Sequence, residues 1–392
     1  MNDFVYNTPT KVVFGRKAEE KLGALMRAQG CRKVLVHYGQ GSVVRSGLLD
    51  RVREVLKAEA IEWVELGGVV PNPRLSLVYE GIELGRREGV DFILAVGGGS
   101  VIDSAKAIGY GLSCGGDVWE LFERKRKVTG CTPIGVILTI AATGSEMSAS
   151  CVITGEDGWR KLGCSSDTSR PRFAIMNPEL TMTLPDYQTA CGCVDILMHT
   201  MERWFYASGG MELTDRIAAS LMRTVMKHAL ILRDDPQNYE SRAEILWAGA
   251  LSHNGLTGCG TDGGDWAPHK IEHELSGLFD VAHGAGLAAI WGSWARYVSS
   301  REPSRFVSFA QHVMQVSGAG TDAEMALKGI EAFEEFCRAI HMPVNMRELG
   351  VQPDEEQIAE MAQKCVKGMG GPAGKVVKLY AEDIEEIFRM AR

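Results

Sequence analysis

Short apolar runs alternate with helical patterns through the first half of the chain. Residues 34–37 (VLVH), 61–66 (IEWVEL), 91–96 (DFILAV) and 133–139 (PIGVILT) read as strands. Residues 47–60, 75–88 and the stretch from about Val101 carry apolar side chains at helical spacing. Apolar runs separated by helices in this way predict a parallel α/β sheet. The N-terminus, MNDFVYNTPTKVVFG, alternates apolar and polar positions and predicts a first strand pair. Beyond residue 184 strand-like runs nearly vanish. Helical patterns follow over 217–233, 241–253, 285–297, 303–317, 322–341, 355–365 and 381–392. The turn Thr183-Leu184-Pro185-Asp186 marks a border, predicting an α/β domain over 1–184 and an all-helical domain over 185–392.

Charge and cysteine usage narrow the class. A net charge of −8 over 392 residues argues against a general affinity for nucleic acid or anionic membrane. No apolar run approaches a membrane span, and the N-terminus lacks the pattern of a signal peptide. The ten cysteines include no C-x₂-C pair, which predicts reduced thiols in the cytosol. Cys191 and Cys193 read as small apolar residues at a helix start.

Two stretches carry candidate chemistry. In the first, the strand at 91–96 runs into Gly97-Gly98-Gly99-Ser100 and then a helix. Glycines allow unusual φ/ψ and close approach, and the helix start offers free N–H groups, so a pyrophosphate fits there. The spacing is neither G-x-G-x-x-G nor G-x₄-G-K-[ST]. Asp103 and Lys106, one turn apart, predict a surface pair or a reach to the ligand. The small, hydroxyl-rich run 139–148 (TIAATGSEMS) suits hydrogen bonding to a cofactor.

The second stretch is DWAPHKIEHELSGLFDVAHG, residues 265–284. His269 and His273 share one helical face, Pro268 suits a helix's first turn, and His283 follows a turn near 277–280. Upstream, Asp195 and His199 are four apart among apolar neighbours. A buried carboxylate is costly, and a divalent cation removes the cost. Imidazoles with one carboxylate suit Fe²⁺ or Zn²⁺ better than Mg²⁺ or Ca²⁺.

GGGSVIDSAKAI, TIAATGSE, NPELTMTLP, D-x₃-H at 195/199 and H-x₃-H-x₉-H at 269/273/283 follow one another in this order. Together they resemble the iron-containing, or group III, alcohol dehydrogenases, in a branch similar to NAD(P)H-dependent butanol dehydrogenases and broad aldehyde reductases. The resemblance implies a Rossmann-like dinucleotide-binding domain facing an all-helical metal domain of the dehydroquinate synthase-like type. It implies that Asp195, His199, His269 and His283 hold the metal, and that His273 sits beside the nicotinamide as a proton relay. Gly97, Gly98, Gly99 and Ser100 would bind the pyrophosphate. Gly39, Gln40, Ser42, Asn72, Asp103, Thr139, Thr143, Ser145, Lys161, Thr183 and Leu184 would line the rest of the cofactor. Ser148 stands where relatives often carry Asn, and Asn177-Pro178 where Asp-Pro is usual, so no role carries over to those positions. A homodimer is the expected assembly.

NAD-preferring relatives carry an Asp after the first strand, which repels a 2′-phosphate. Here Gln40 stands in that place, with Ser42 and Arg45 near to receive a phosphate, which favours NADP(H) over NAD(H). The expected reaction is metal-assisted hydride transfer between NAD(P)H and an aldehyde or primary alcohol. A glycerol-type polyol dehydrogenase of the same fold and a metal-dependent phosphoester hydrolase are the alternatives.

Overall fold

The computed structural model describes residues 1–206 and 211–392. It divides into two compact units, one of Asn7–Thr183 and one of Leu184–Arg392 with Met1–Tyr6.

The first unit contains strands β1 (Lys11–Phe14), β2 (Lys33–Gly39), β3 (Glu62–Val69), β4 (Phe92–Gly97), β5 (Ile134–Leu138), β6 (Ser150–Gly155), β7 (Arg160–Ser165) and β8 (Phe173–Met176). Its helices are α1 (Leu22–Gln29), α2 (Ser42–Arg45), α3 (Leu48–Ala58), α4 (Leu75–Glu88), α5 (Gly99–Cys114) and α6 (Trp119–Phe122). Six strands form a parallel sheet in the order β1-β8-β5-β4-β2-β3. β4 and β5 are buried along their whole length, as strands covered on both faces by helices must be. The expected first strand pair is not formed. Lys11–Phe14 instead lies parallel to β8 at the sheet edge, and residues 1–10 contain no strand. The antiparallel hairpin β6–β7 escapes the periodicity because polar, Gly and charged residues break its apolar runs, and β8 escapes because its apolar run is only four residues long.

The chain leaves β2 for β3 on one side and crosses back to β4 on the other. This reversal puts the carboxyl ends of β2 and β4 side by side, where open α/β sheets bind ligands.

One buried cation organises the loop beyond β5. Lys106 is fully buried in α5, not on the surface. Its Nζ donates to the carbonyls of Ser145 (2.8 Å), Ser148 (3.0 Å) and Ser150 (2.8 Å). Burial pushes its pKa down, and the Asp103 carboxylate opposes that. One helical turn earlier, Asp103 accepts from Ser145 Oγ at 2.6 Å and Val152 N at 2.9 Å. These groups pin residues 145–152 to α5.

In the second unit the helices are α7 (Asp186–Trp204), α8 (Glu212–Asp234), α9 (Tyr239–His253), α10 (Ala267–Phe279), α11 (His283–Ser299), α12 (Ser304–His312), α13 (Asp322–Ala339), α14 (Met346–Leu349), α15 (Glu355–Met369) and α16 (Ala381–Ala391). Among the described residues, no helix is long and apolar enough to cross a membrane. An aromatic core of Phe205, Trp291, Trp294, Phe306, Phe309 and Phe333 packs in stacked and edge contacts.

Lys106→Met keeps the side-chain volume and removes the buried donor that three carbonyls share. It should lower stability by about 2–4 kcal/mol, read as the shift in urea midpoint of the purified protein.

Candidate metal centre and dinucleotide cradle

α7, α10 and α11 bring the metal candidates together. Asp195 and His199 sit one turn apart on α7, both buried. α10 starts at Ala267 with Pro268 in its first turn and presents His269 and His273. It ends at Phe279, with Asp280 in the left-handed region (φ 50°) closing the helix, and His283 opens α11. Gly284 lets α11 cross close to α7, since a Cβ there would lie 2.1 Å from the Cys191 carbonyl oxygen.

Three imidazole nitrogens converge on Asp195 Oδ1. His199 Nδ1 lies at 3.3 Å, His283 Nε2 at 3.7 Å and His269 Nε2 at 3.9 Å. His199 Nδ1 and His269 Nε2 are buried and have no hydrogen-bond partner among the described residues. Burial and the mutual repulsion of the imidazoles hold the pKa values of His199 and His269 well below the usual range, so both rings are neutral. Neutral imidazoles are the form a cation binds. The donor set of three nitrogens and one carboxylate oxygen fits a divalent transition metal.

Two carboxylates buttress these ligands. Glu202 Oε1 accepts from His269 Nδ1 at 2.6 Å and from His269 N at 3.1 Å, and its Oε2 accepts from Trp266 N at 2.7 Å. Glu272 bonds His283 Nδ1 and accepts from Ser276 Oγ. In each case the carboxylate occupies Nδ1 and leaves Nε2 facing Asp195, the usual way a protein fixes a ligand's tautomer. Burial pushes the Glu202 carboxyl up to about 8, against the pull of its backbone N–H donors. Asp265, pushed up to about 6 by burial, accepts from the backbone N–H groups of Ala267, Lys375 and Val376.

Glu202 and Glu272 were not expected from the pattern. Each stands three residues after a ligand, in His199-x₂-Glu202 and His269-x₂-Glu272, a spacing that hints at a shared face. The bonding is crossed, however, so neither buttresses the histidine on its own helix. His273 is buried, lies 5.8 Å ring to ring from His283, and with Glu272 and His283 forms a second cluster of possible ligands.

In the other unit, Gly39 ends β2 with Gln40 and Ser42 just beyond it, and Gly97 ends the adjacent β4 with Gly98, Gly99 and Ser100 just beyond. Thr139 follows β5, with its N–H on the Gly97 carbonyl at 3.1 Å. The three loops therefore gather at one sheet edge. α5 begins at Gly99 within the glycine run, and its first-turn N–H groups point out of that edge. The glycines do not adopt unusual torsions, as none of 97–99 has positive φ. They are required by close packing, since a Cβ on Gly98 would lie 2.1 Å from Ile140 Cγ2 and one on Gly99 2.3 Å from Thr143 Oγ1. Ser145 and Asp103 bond each other and sit behind this loop. Asn72 is buried in a left-handed turn after β3 (φ 54°). Thr154, whose N–H reaches the Pro73 carbonyl at 2.8 Å, is paired in register with Lys161. Thr183 and Leu184 stand at the junction of the two units. Asn177 caps the turn at 178–181 and donates to Glu19 at 2.9 Å, which accounts for it structurally.

Residues 9–178 match the model of the iron-containing alcohol dehydrogenases, and 189–392 match that family's C-terminal model. The chain is 38% identical over 390 residues to NADH-dependent butanol dehydrogenase A of Clostridium acetobutylicum, covering 99% of each. It is 32% identical to the NADPH-dependent aldehyde reductase YqhD of Escherichia coli, over 90% of each chain. Among solved structures, NADH-dependent butanol dehydrogenase A of Thermotoga maritima superposes with a TM-score of 0.95 at 41% identity, covering 100% of this chain and 99% of that one. With both halves matched and relatives spanning its full length, the chain belongs to the iron-containing alcohol dehydrogenase family, oxidoreductases of alcohols and aldehydes.

Proposed function

We propose that the protein is a metal-dependent oxidoreductase that moves hydride between a nicotinamide dinucleotide and aldehydes or primary alcohols. The observation that carries this reading is the convergence of three imidazole nitrogens on Asp195 Oδ1. Asp195, His199, His269 and His283 would hold the cation, and the loops at 39–42, 97–100 and 139–145 would hold the dinucleotide. With both bound, the cation supplies a Lewis acid for a carbonyl oxygen and the reduced ring supplies the hydride.

The chain's own groups do the rest. Asp195 is the one anionic donor, so the ligand set cancels half of a divalent charge and the site still attracts oxygen. Glu202 and Glu272 fix two of the imidazoles before anything binds. His273, next to His283 but outside the group around Asp195, holds the proton that the product oxygen takes up. Fe²⁺ and Zn²⁺ both suit three nitrogens and one oxygen, and Zn²⁺ binds more tightly in the usual order, so the metal found will follow supply. The cysteines are free thiols, which supports a reducing compartment such as the cytosol. A homodimer rests on the family resemblance alone.

For the cofactor, the stretch 38–42 carries no acidic residue, and the Arg45 guanidinium folds back against Gly41. Both features support NADP(H) as the favoured partner, although the Clostridium relative is named as NADH-dependent.

His283→Ala should lower metal affinity by more than about a hundredfold and abolish turnover. His273→Ala should keep its metal yet slow turnover about 10²–10⁴-fold and change the pH profile. Metal per chain and steady-state rates check this, and equal metal content and activity in both variants would contradict the assignment. NADPH should give a higher kcat/KM than NADH with butanal. Gln40→Asp should shift that ratio towards NADH by about five- to tenfold through charge repulsion, and a wild-type preference for NADH would overturn the cofactor reading.

A further inference from the structure

Beside the metal candidates stands an aromatic residue whose placement the reaction scheme above does not use. Trp266 has φ 64° and ψ 8°, a left-handed conformation that a bulky residue keeps only when its surroundings impose it. Three contacts impose it here. Its backbone N–H donates to Glu202 Oε2 at 2.7 Å, its indole Nε1–H donates to the Gly263 carbonyl at 2.6 Å, and the buried Arg203 guanidinium lies 4.8 Å from the ring centroid. Gly264 makes room for the turn, as a Cβ there would lie 2.7 Å from the Glu202 carbonyl oxygen and 3.1 Å from the indole nitrogen. Strain held by so many restraints clusters at functional sites.

The ring lies 5.3 Å from that of His269 and 6.1 Å from that of His199, with His253 at 5.9 Å. Residues 264–265 and 267–269 are buried, while Trp266 is half-buried, so the indole is the part of this run that reaches open space. Glu202 holds both the His269 imidazole and the Trp266 backbone, which fixes the indole rigidly relative to the ligands.

We propose that Trp266 is a specificity-determining residue, forming a rigid apolar wall beside the metal ligands that selects unbranched aliphatic aldehydes. The inference rests on the oxidoreductase reading above and names the substrate class within it. With its ring centroid 5.3 Å from that of His269 and 6.1 Å from that of His199, the indole flanks the path of a substrate whose carbonyl oxygen reaches those ligands. A slim chain lies along a flat ring, whereas a branch at the α-carbon meets it. The indole's one donor is committed to Gly263, so the wall offers no hydrogen bond to a hydroxylated chain. This disfavours polyol-type substrates.

The test compares wild type, Trp266→Ala and Trp266→Phe on butanal, 2-methylpropanal and glyceraldehyde, with metal per chain measured on the same samples. Wild type should rank butanal first and glyceraldehyde last. Trp266→Ala should reduce the butanal to 2-methylpropanal ratio of kcat/KM by about tenfold, Trp266→Phe should largely keep it, and all three should retain their metal. An unchanged ratio in Trp266→Ala with metal retained overturns the proposal and leaves the oxidoreductase reading standing. Loss of metal in Trp266→Ala also overturns it, making the indole part of the frame that holds His269. A wild-type preference for glyceraldehyde contradicts the wall as described. If wild type turns over none of the aldehydes with NADH or NADPH while carrying metal, the oxidoreductase reading itself fails and this inference falls with it.

Discussion

Three imidazoles packed round one buried carboxylate oxygen are not stable on their own terms. Asp195 is buried, and three imidazole nitrogens crowd its Oδ1, two of them on rings that burial holds neutral. Donor atoms gathered this closely and removed from water cost several kcal/mol to bury. A divalent cation among them turns every one of those contacts attractive.

The helical unit is arranged to hold that unfavourable cluster in register. Each buttressing carboxylate belongs to one helix and grips an imidazole on the next, Glu202 of α7 on His269 of α10, and Glu272 of α10 on His283 of α11. The crossed bonds tie three helices through their ligands, so the geometry of the site and the packing of the helices are one constraint. Asp265 extends the frame by anchoring the backbone at 375–376 to the start of α10. In the α/β unit, Lys106 plays the comparable part, gathering three carbonyls so that the loop after β5 lies against the glycines that follow β4.

How much of this could be read beforehand depended on whether an interaction was local. Four of the six parallel strands and most helices follow from period alone, while spacing singled out Asp195/His199 and His269/His273 with His283 nearby, and only the family resemblance separated the four metal candidates from His273. Glu202 and Glu272 were invisible because their partners lie on other helices, where sequence distance carries no information. Lys106 was misread because a lysine one turn from an aspartate normally sits in water, and only the fold reveals that five hydrogen bonds compensate its burial. The glycines at 97–99 were placed correctly for the wrong reason, since it is the approach of Ile140 and Thr143, not backbone torsion, that excludes a side chain.

If a cation binds the donors gathered round Asp195 in the folded chain alone, folding and metal binding must be linked. Chemical denaturation of the wild-type protein, stripped by a chelator and then reloaded anaerobically with Fe²⁺ or with Zn²⁺, measures that linkage without any substrate. At a free metal concentration a hundredfold above Kd the account predicts a gain of about 2.7 kcal/mol in the transition of the helical unit. Superimposable unfolding curves with and without metal would contradict it.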